Sequence, residues 1–230
     1  MLTLVPTPVG NLEDITLRAL RVLREADVIA AEDTRHAGIL LHHHGIHRPL
    51  VSLHEHNEAA RSAELAARAG AGEQIAMLTD AGTPGISDPG FRIVRTCIER
   101  GIEFTVLPGP SSILPSLVGS GLPLHEFYFG GFLPVKSGRR RSTLAAAIER
   151  RETSIFFESP HRILRSLEVL AELAPTRPVC VAREISKKFE EYRRGSAADL
   201  AAAAAKSPPR GEICLLVGGA DASSANMPTP

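Results

Sequence analysis

The sequence predicts an α/β protein of two domains, with a mostly parallel sheet in the first domain and a mixed sheet in the second. Three observations carry this reading. Through the first half of the 230 residues, short apolar runs alternate with stretches of helical period, and strands joined through helices form parallel sheets covered on both faces. The second half keeps that rhythm but adds partial two-residue alternation near its end, which is hairpin character. Between the halves, residues 119–123 hold two glycines and a proline and belong to neither pattern.

The elements follow in order. Leu2-Thr3-Leu4-Val5 reads as a strand, Leu17, Leu20, Val22 and Leu23 recur at helical spacing, and a second strand spans 28–31. A strand over 50–53, a helix over 59–69, a strand over 75–78, a helix over 91–100 and a strand over 104–107 complete a first domain at 1–110. A helix from Ser112 to about Val118 and the turn after it make a linker helix and linker over 111–123. The second domain, 124–219, reads as strand 127–129, helix 142–150, strand 154–157, helix 161–173, strand 179–182, a half-alternating stretch 189–194, an Ala-rich helix 197–205 and a last strand 213–217. The tail 220–230, rich in Ser, Ala and Pro, is expected to be disordered. No internal repeat is evident.

Composition narrows the class. Hydrophobic residues at 43% and charged residues at 23% are enough for burial to drive folding without staples. Cys97, Cys180 and Cys214 are odd in number, far apart and without a CxxC pair, which argues against disulfides and structural zinc. No apolar run approaches a membrane span, and the first residues lack the basic stretch of a signal peptide, so a soluble cytoplasmic protein is expected. The net charge of zero hides an asymmetry. Residues 1–110 hold ten Arg and no Lys against fourteen acids, while 111–230 hold sixteen cations against twelve. The basic half suits a polyanion such as RNA, although scattered surface charge gives the same count. With no Trp and 4% aromatics, a base-stacking platform is not expected.

Chemistry is expected in the loops at the carboxyl ends of the parallel strands. The most informative is Thr79-Asp80-Ala81-Gly82-Thr83-Pro84-Gly85-Ile86-Ser87-Asp88-Pro89-Gly90. Its glycines let a ligand approach the backbone, its prolines stiffen it, and its two carboxylates can accept hydrogen bonds. It is neither a Walker A loop nor a GxGxxG fingerprint; a cofactor cradle competes with a long structural turn. Pro108-Gly109-Pro110-Ser111-Ser112, Pro6-Thr7-Pro8-Val9-Gly10-Asn11-Leu12 and Glu32-Asp33-Thr34-Arg35 are three more polar loops after strands. Ser111 or Ser112, and Asp33, could equally be helix caps.

Taken in order, Pro6–Thr16, Ala31-Glu32-Asp33-Thr34-Arg35, His54-Glu55-His56-Asn57-Glu58, the loop 80–90, Pro108 to Ser112, Glu158-Ser159-Pro160-His161-Arg162 and Ala182-Arg183-Glu184 resemble the ribosomal RNA small subunit methyltransferase I family. These are 2′-O-ribose cytidine methyltransferases of the tetrapyrrole methylase superfamily, and the resemblance spans residues 2 to about 218. It implies a two-domain tetrapyrrole-methylase-like fold, S-adenosyl-L-methionine held between the domains, a homodimer, and methylation of a decoding-region cytidine in 16S rRNA, within the 30S subunit. It places the cofactor against Asp80, Ala81, Gly82, Thr83, Pro84, Gly85, Ser87 and Asp88, flanked by Ser111 and Ser112. Phe157, Glu158, Ala182 and Arg183 would add walls from the second domain.

Methyl transfer to a ribose hydroxyl is an in-line displacement helped by a base or a cation near the developing alkoxide. Candidates are Asp33, Glu184 and Lys187, with Asp14 and Glu158 also near the expected site; Glu184 and Lys187, three apart, could instead be a surface ion pair. For phosphates the candidates are Lys136, Arg139, Arg140 and Arg141, read as a cationic loop, with Arg162, Lys187, Lys188, Arg193 and Arg194. Seven of nine histidines fall between His36 and His56, but their spacing lacks a ligand set and no metal is expected; His42-His43-His44 reads as a surface turn, and His54 to Glu58 as a segment for substrate or interdomain contact. The rival readings are a methylase of tetrapyrroles or protein side chains, a non-catalytic RNA- or ribosome-binding module, and a metal-dependent phosphoesterase using Asp80, Asp88 and the histidines.

Overall fold

The computed structural model describes residues 1–220 and Ala222; the rest of the tail expected over 220–230 lies outside the described residues. The chain divides into two compact units, the first covering Met1–Ser111 and the second starting at Ser112.

The first unit contains strands β1 (Leu2–Leu4), β2 (Val28–Ala31), β3 (Leu50–Ser52), β4 (Ile75–Leu78) and β5 (Phe104–Val106), in the order β3-β2-β4-β1-β5. Every pairing is parallel, as expected from strands joined through helices. The helices are α1 (Leu17–Glu25), α2 (Thr34–His43), α3 (Glu58–Gly70) and α4 (Phe91–Arg100). Alternation along the strands splits the core in two. Val5, Ile29, Ala31, Ala76 and Leu78 meet Ala19 and Leu23 of α1 and Ala37, Leu40 and Leu41 of α2. Leu2, Leu4, Val28, Ala30, Ile75 and Met77 meet Leu65 and Ala66 of α3 and Ile93 and Cys97 of α4. Each fully buried Leu, Ile, Val or Met side chain among these contributes about 1.5–3 kcal/mol.

Helix α2 corrects the sequence reading. His42 and His43 form its last turn and His44 its C-cap, not a surface turn. The spacing of Ala37, Leu40 and Leu41 gave the helix its apolar face, and the adjacent polar histidines masked it.

The second unit contains α5 (Ile113–Ser120), β6 (Phe127–Phe132), α6 (Ser137–Glu149), β7 (Thr153–Glu158), α7 (Ile163–Leu173), β8 (Pro178–Arg183), β9 (Glu191–Ser196), α8 (Ala197–Lys206) and β10 (Ile213–Val217). Its sheet runs β6-β7-β10-β8-β9, with β6 and β7 parallel and the other neighbours antiparallel. Helices α6, α7 and α8 cover one face through Leu144, Leu167, Leu170 and Leu200. Helix α5 covers the other, where Leu117 and Leu122 pack with Ile155, Cys180, Ala182 and Leu216. The stretch read as a linker over 111–123 thus supplies core to the second unit. The three cysteines are buried and free.

The stretch Lys136 to Arg141, read as a loop, is the start of α6, whose N-cap position is Lys136. Past Gly138, nothing in Arg139-Arg140-Arg141-Ser142-Thr143-Leu144 opposes a helix, and charge density alone does not make a loop.

Strand β9 is joined to α5 by a close approach. A Cβ on Gly119 would lie 2.3 Å from the Tyr192 ring, Tyr192 Oη donates to the Pro115 carbonyl at 3.1 Å, and the Arg194 guanidinium donates to the Gly119 carbonyl. A cation at the last turn of a helix is favoured by its dipole. Gly119→Ala is expected to cost about 1–3 kcal/mol through overpacking, read as a lower urea midpoint with an unchanged slope.

Candidate active site

The topology selects one place in the first unit. The chain leaves β1 and β2 toward the face covered by α1 and α2, and leaves β4 toward the face covered by α4. The loop after β4 is therefore flanked on both sides by loops that depart the opposite way, and the crevice so formed at the carboxyl strand ends is where open α/β sheets bind ligands. That loop is the Asp80 to Gly90 segment singled out above.

Its shape is fixed from three directions. Thr7 and Gly82 exchange backbone hydrogen bonds of 2.9 Å each, and Thr7 Oγ1 donates to the Thr79 carbonyl at 3.0 Å. Gly90 has φ +141°, and a Cβ there would stand 2.9 Å from Gly85 N, so this bend admits glycine alone. The start of α4 is held by Glu58, the first residue of α3. Its Oε1 accepts from Gly90 N at 3.0 Å and Arg92 N at 3.3 Å, and its Oε2 lies 3.4 Å from Arg92 Nε. The last residue of the His54 to Glu58 segment thus acts as a cap supplied from another helix. Asn57 closes the turn before it, its Oδ1 accepting from His54 N at 2.9 Å. The Pro108-Gly109-Pro110 loop comes equally close to the first strand's loop: a Cβ on Gly109 would be 2.7 Å from Pro6 Cβ.

Around this frame stand Glu32, Asp80 and Asp88, with Glu55 near enough to be felt electrostatically. Two hydrogen bonds clasp the ends of β2 and β4, Asp33 N donating to Asp80 Oδ1 at 3.3 Å and Asp80 N to the Glu32 carboxylate. Burial, then the Asp88 and Asp80 charges, push the Glu32 carboxyl up to about 7. Burial and then the Asp80 charge push Asp88 up to about 6. The four form no ion pair among the described residues. Glu32 and Asp88 thereby resist ionisation, and the cluster favours a cationic ligand or a proton.

Asp33, expected as a catalytic candidate, is occupied. Its carboxylate caps α2 by accepting from Arg35 N at 2.8 Å and pairs with the Arg35 guanidinium at 2.8 Å, which holds it well below the usual carboxylate range. Sequence reasoning missed Glu32. The signal was present, since Asp33-Thr34-Arg35 has the form of a helix start and so spends Asp33 on capping.

In the second unit, the residues expected near the cofactor are placed as follows. Ser112 stands at the start of α5 without a side-chain capping bond. Phe157 packs edge-on to Phe129 with ring centroids 5.0 Å apart, and Ala182 is fully buried. Glu158 is buried, its carboxylate accepting from Ser159 N at 2.7 Å and Ser166 Oγ at 2.6 Å and pairing with Arg162 Nη2 at 2.9 Å. Arg183 donates to the Arg210 carbonyl at 2.8 Å and pairs with Glu191 at 3.2 Å. Lys187 pairs with Glu184 at 3.1 Å and Glu212 at 2.8 Å, and Glu184 Oε1 also accepts from Glu212 N at 2.9 Å. The ion-pair alternative for Glu184 and Lys187 is what the structure contains.

Of the phosphate candidates, Lys136, Arg139 and Lys188 are exposed, Arg141 pairs with Glu172 at 2.5 Å, and Arg140 is buried. Arg193 and Arg194, on β9, are tied to Glu191 and to the Gly119 carbonyl. Among the described residues no group of His, Cys, Asp or Glu is placed to hold a metal ion, and no helix is long and apolar enough to cross a membrane.

Comparison with known proteins fits this geometry. The family model described as Tetrapyrrole (Corrin/Porphyrin) Methylases matches residues 1–201. Ribosomal RNA small subunit methyltransferase I of Escherichia coli O157:H7 is 46% identical over 230 residues, which is 99% of this chain and 80% of that protein. A solved uroporphyrin-III-C-methyltransferase from Thermus thermophilus has a TM-score of 0.65 and 26% identity, covering 94% of this chain and 93% of its own. A structure of that enzyme type complexed with S-adenyl homocysteine has a TM-score of 0.62 at 21% identity, covering 94% and 96%. The chain therefore belongs to the tetrapyrrole methylases and, within them, to the ribosomal RNA small subunit methyltransferase I family.

Proposed function

We propose that this protein transfers a methyl group from S-adenosylmethionine to the ribose 2′-oxygen of a cytidine in the decoding region of 16S rRNA, in the 30S subunit. We further read it as a cytoplasmic homodimer. The observation that carries the reading is the set of three unpaired carboxylates, Glu32, Asp80 and Asp88, around a glycine loop at the switch point of the first sheet. The donor set suits this cofactor, which is positively charged at sulfur and at its amino group. Asp80 and Asp88 lie on the loop whose backbone Gly82 and Gly85 leave open to close approach, with no atom nearer than 3.8 Å to a Cβ built at either.

When bound, S-adenosylmethionine supplies an electrophilic methyl carbon on a sulfonium. The chain supplies the rest. The clasp between Glu32, Asp33 and Asp80 fixes the ends of β2 and β4, so the carboxylates are held in place before any ligand arrives. Glu32, at about 7, is matched to neutral pH as an acceptor for the proton that leaves the ribose hydroxyl. A cation beside Glu32 would favour its ionised form, so the carboxyl would be ready to accept a proton once the positively charged cofactor is bound. The exposed Lys136, Arg139 and Lys188 are free to meet phosphates, whereas Arg162, Arg183 and Lys187 are committed to carboxylates of their own unit.

Incubation of the purified protein with methyl-labelled S-adenosylmethionine and 30S subunits, free 16S rRNA or a tetrapyrrole decides between acceptors. The expected result is one ribose-methylated cytidine in the subunit, located by mass spectrometry of nuclease fragments. Label in the tetrapyrrole, or in no acceptor, would overturn the reading.

A further inference from the structure

Helix α6 starts with a deficit. Lys136 at its N-cap position offers no acceptor and makes no side-chain capping bond, so the N–H groups of the first turn lack the partner that an N-cap Ser, Thr or Asp supplies elsewhere. Next to them is Arg140, only 5% exposed. Its Nη1 donates to the Val135 carbonyl at 3.2 Å, its Nε is buried without a partner, and among the described residues no carboxylate pairs with it. Helical side chains lean toward the helix N-terminus, so the guanidinium and the first-turn N–H groups share one end of α6. Buried charges are ordinarily paired; this one is not.

The neighbouring helix provides the contrast. Strands β6 and β7 are parallel neighbours, so the start of α7 stands at the same sheet edge as that of α6. Arg162 stands at the N-cap position of α7, the place Lys136 holds in α6, and like Arg140 it has a buried, unbonded Nε, yet its charge is answered by Glu158 at 2.9 Å. Arg140 has no such answer.

The unused edge of Arg140, Nε with Nη2, is the fork that matches two oxygens of one anionic group. A carboxylate would spend both its oxygens there. A phosphate keeps others for the helix-end N–H groups and for Lys136, and Gly138 leaves the approach open, with nothing within 4 Å of a Cβ built there. We propose that Arg140, the first turn of α6 and Lys136 form a site for one phosphate of the RNA backbone. The proposal rests on the RNA reading above, whereas the site's affinity for inorganic phosphate does not.

Titration of the 15N-labelled wild-type protein with inorganic phosphate, against chloride at matched ionic strength, tests the site directly. The Arg140 Nε–H resonance, assigned through its side-chain carbons, is expected to shift saturably with phosphate and not with chloride. In parallel, binding of a single-stranded RNA is followed against salt for wild type, Arg140→Lys and Arg140→Met. The methionine variant should bind about tenfold or more weakly, with a log–log salt slope lower by about 0.7, the value of one phosphate on a single strand. The lysine variant, charged but forkless, should fall between. Absence of a phosphate-specific shift, with the wild-type salt slope kept in both variants, overturns the site and leaves the RNA reading standing. A saturable shift with no RNA binding by the wild type overturns the RNA reading and leaves an anion site.

Discussion

Glu32→Gln is expected to lower the methyl-transfer rate constant by about 10²–10⁴-fold, the usual worth of a positioned proton acceptor, while making the protein more stable at pH 8. The second half follows from the sign of the shift. Glu32 titrates at about 7 in the folded chain against an ordinary 4.5, so the folded state holds a proton that the unfolded state has lost between those values. The stability tied to that proton is fully present below about 4.5 and is lost as pH rises through 7. The glutamine variant carries no such loss. It should match wild type near pH 4 and exceed it by roughly 1 kcal/mol above pH 7, since solvent screens a carboxyl that is only partly buried, measured by urea unfolding at several pH values. In the wild type, the rate constant should rise with pH to a plateau above the Glu32 pKa of the bound complex. Loss of activity together with loss of stability at pH 8 would mean that Glu32 is structural.

Glu158→Ala is the second large effect, and it is expected in stability. The carboxylate is buried and holds Arg162, Ser166 and the Ser159 N–H. Removing it leaves a half-buried guanidinium without its partner, which costs about 3–5 kcal/mol. Urea unfolding of the second unit should report that loss, with cofactor affinity retained in the protein that remains folded. A variant of wild-type stability that fails to bind S-adenosylmethionine would instead assign Glu158 to the cofactor, as the family resemblance implies.

What the sequence made legible divides along physical lines. The parallel sheet could be read because strands buried on both faces are continuous apolar runs, as in Val28-Ile29-Ala30-Ala31 and Ile75-Ala76-Met77-Leu78. The Asp80 to Gly90 loop could be read because glycine and proline mark backbone geometry locally. Helix α2 was obscured because tertiary burial of three residues outweighs ten residues of mixed propensity. Glu32 was passed over for Asp33 because a pKa depends on burial and on charges from β4 and its loop, neither of which spacing encodes. The placement of Arg140 was hidden for the same reason: three consecutive arginines read as one cationic cluster, whereas the helix turns one of them inward.

Strands β3 and β5, at the margins of the first sheet, are three residues each. In the second sheet, β6 carries a shift of register between Phe129 and Phe132, and β9 carries Glu191, Arg193 and Arg194. A stray extended polypeptide seeking main-chain partners therefore meets brevity, a kink or charge at every open border. The molecule should accordingly resist fibril-like self-association at high concentration, despite its two sheets.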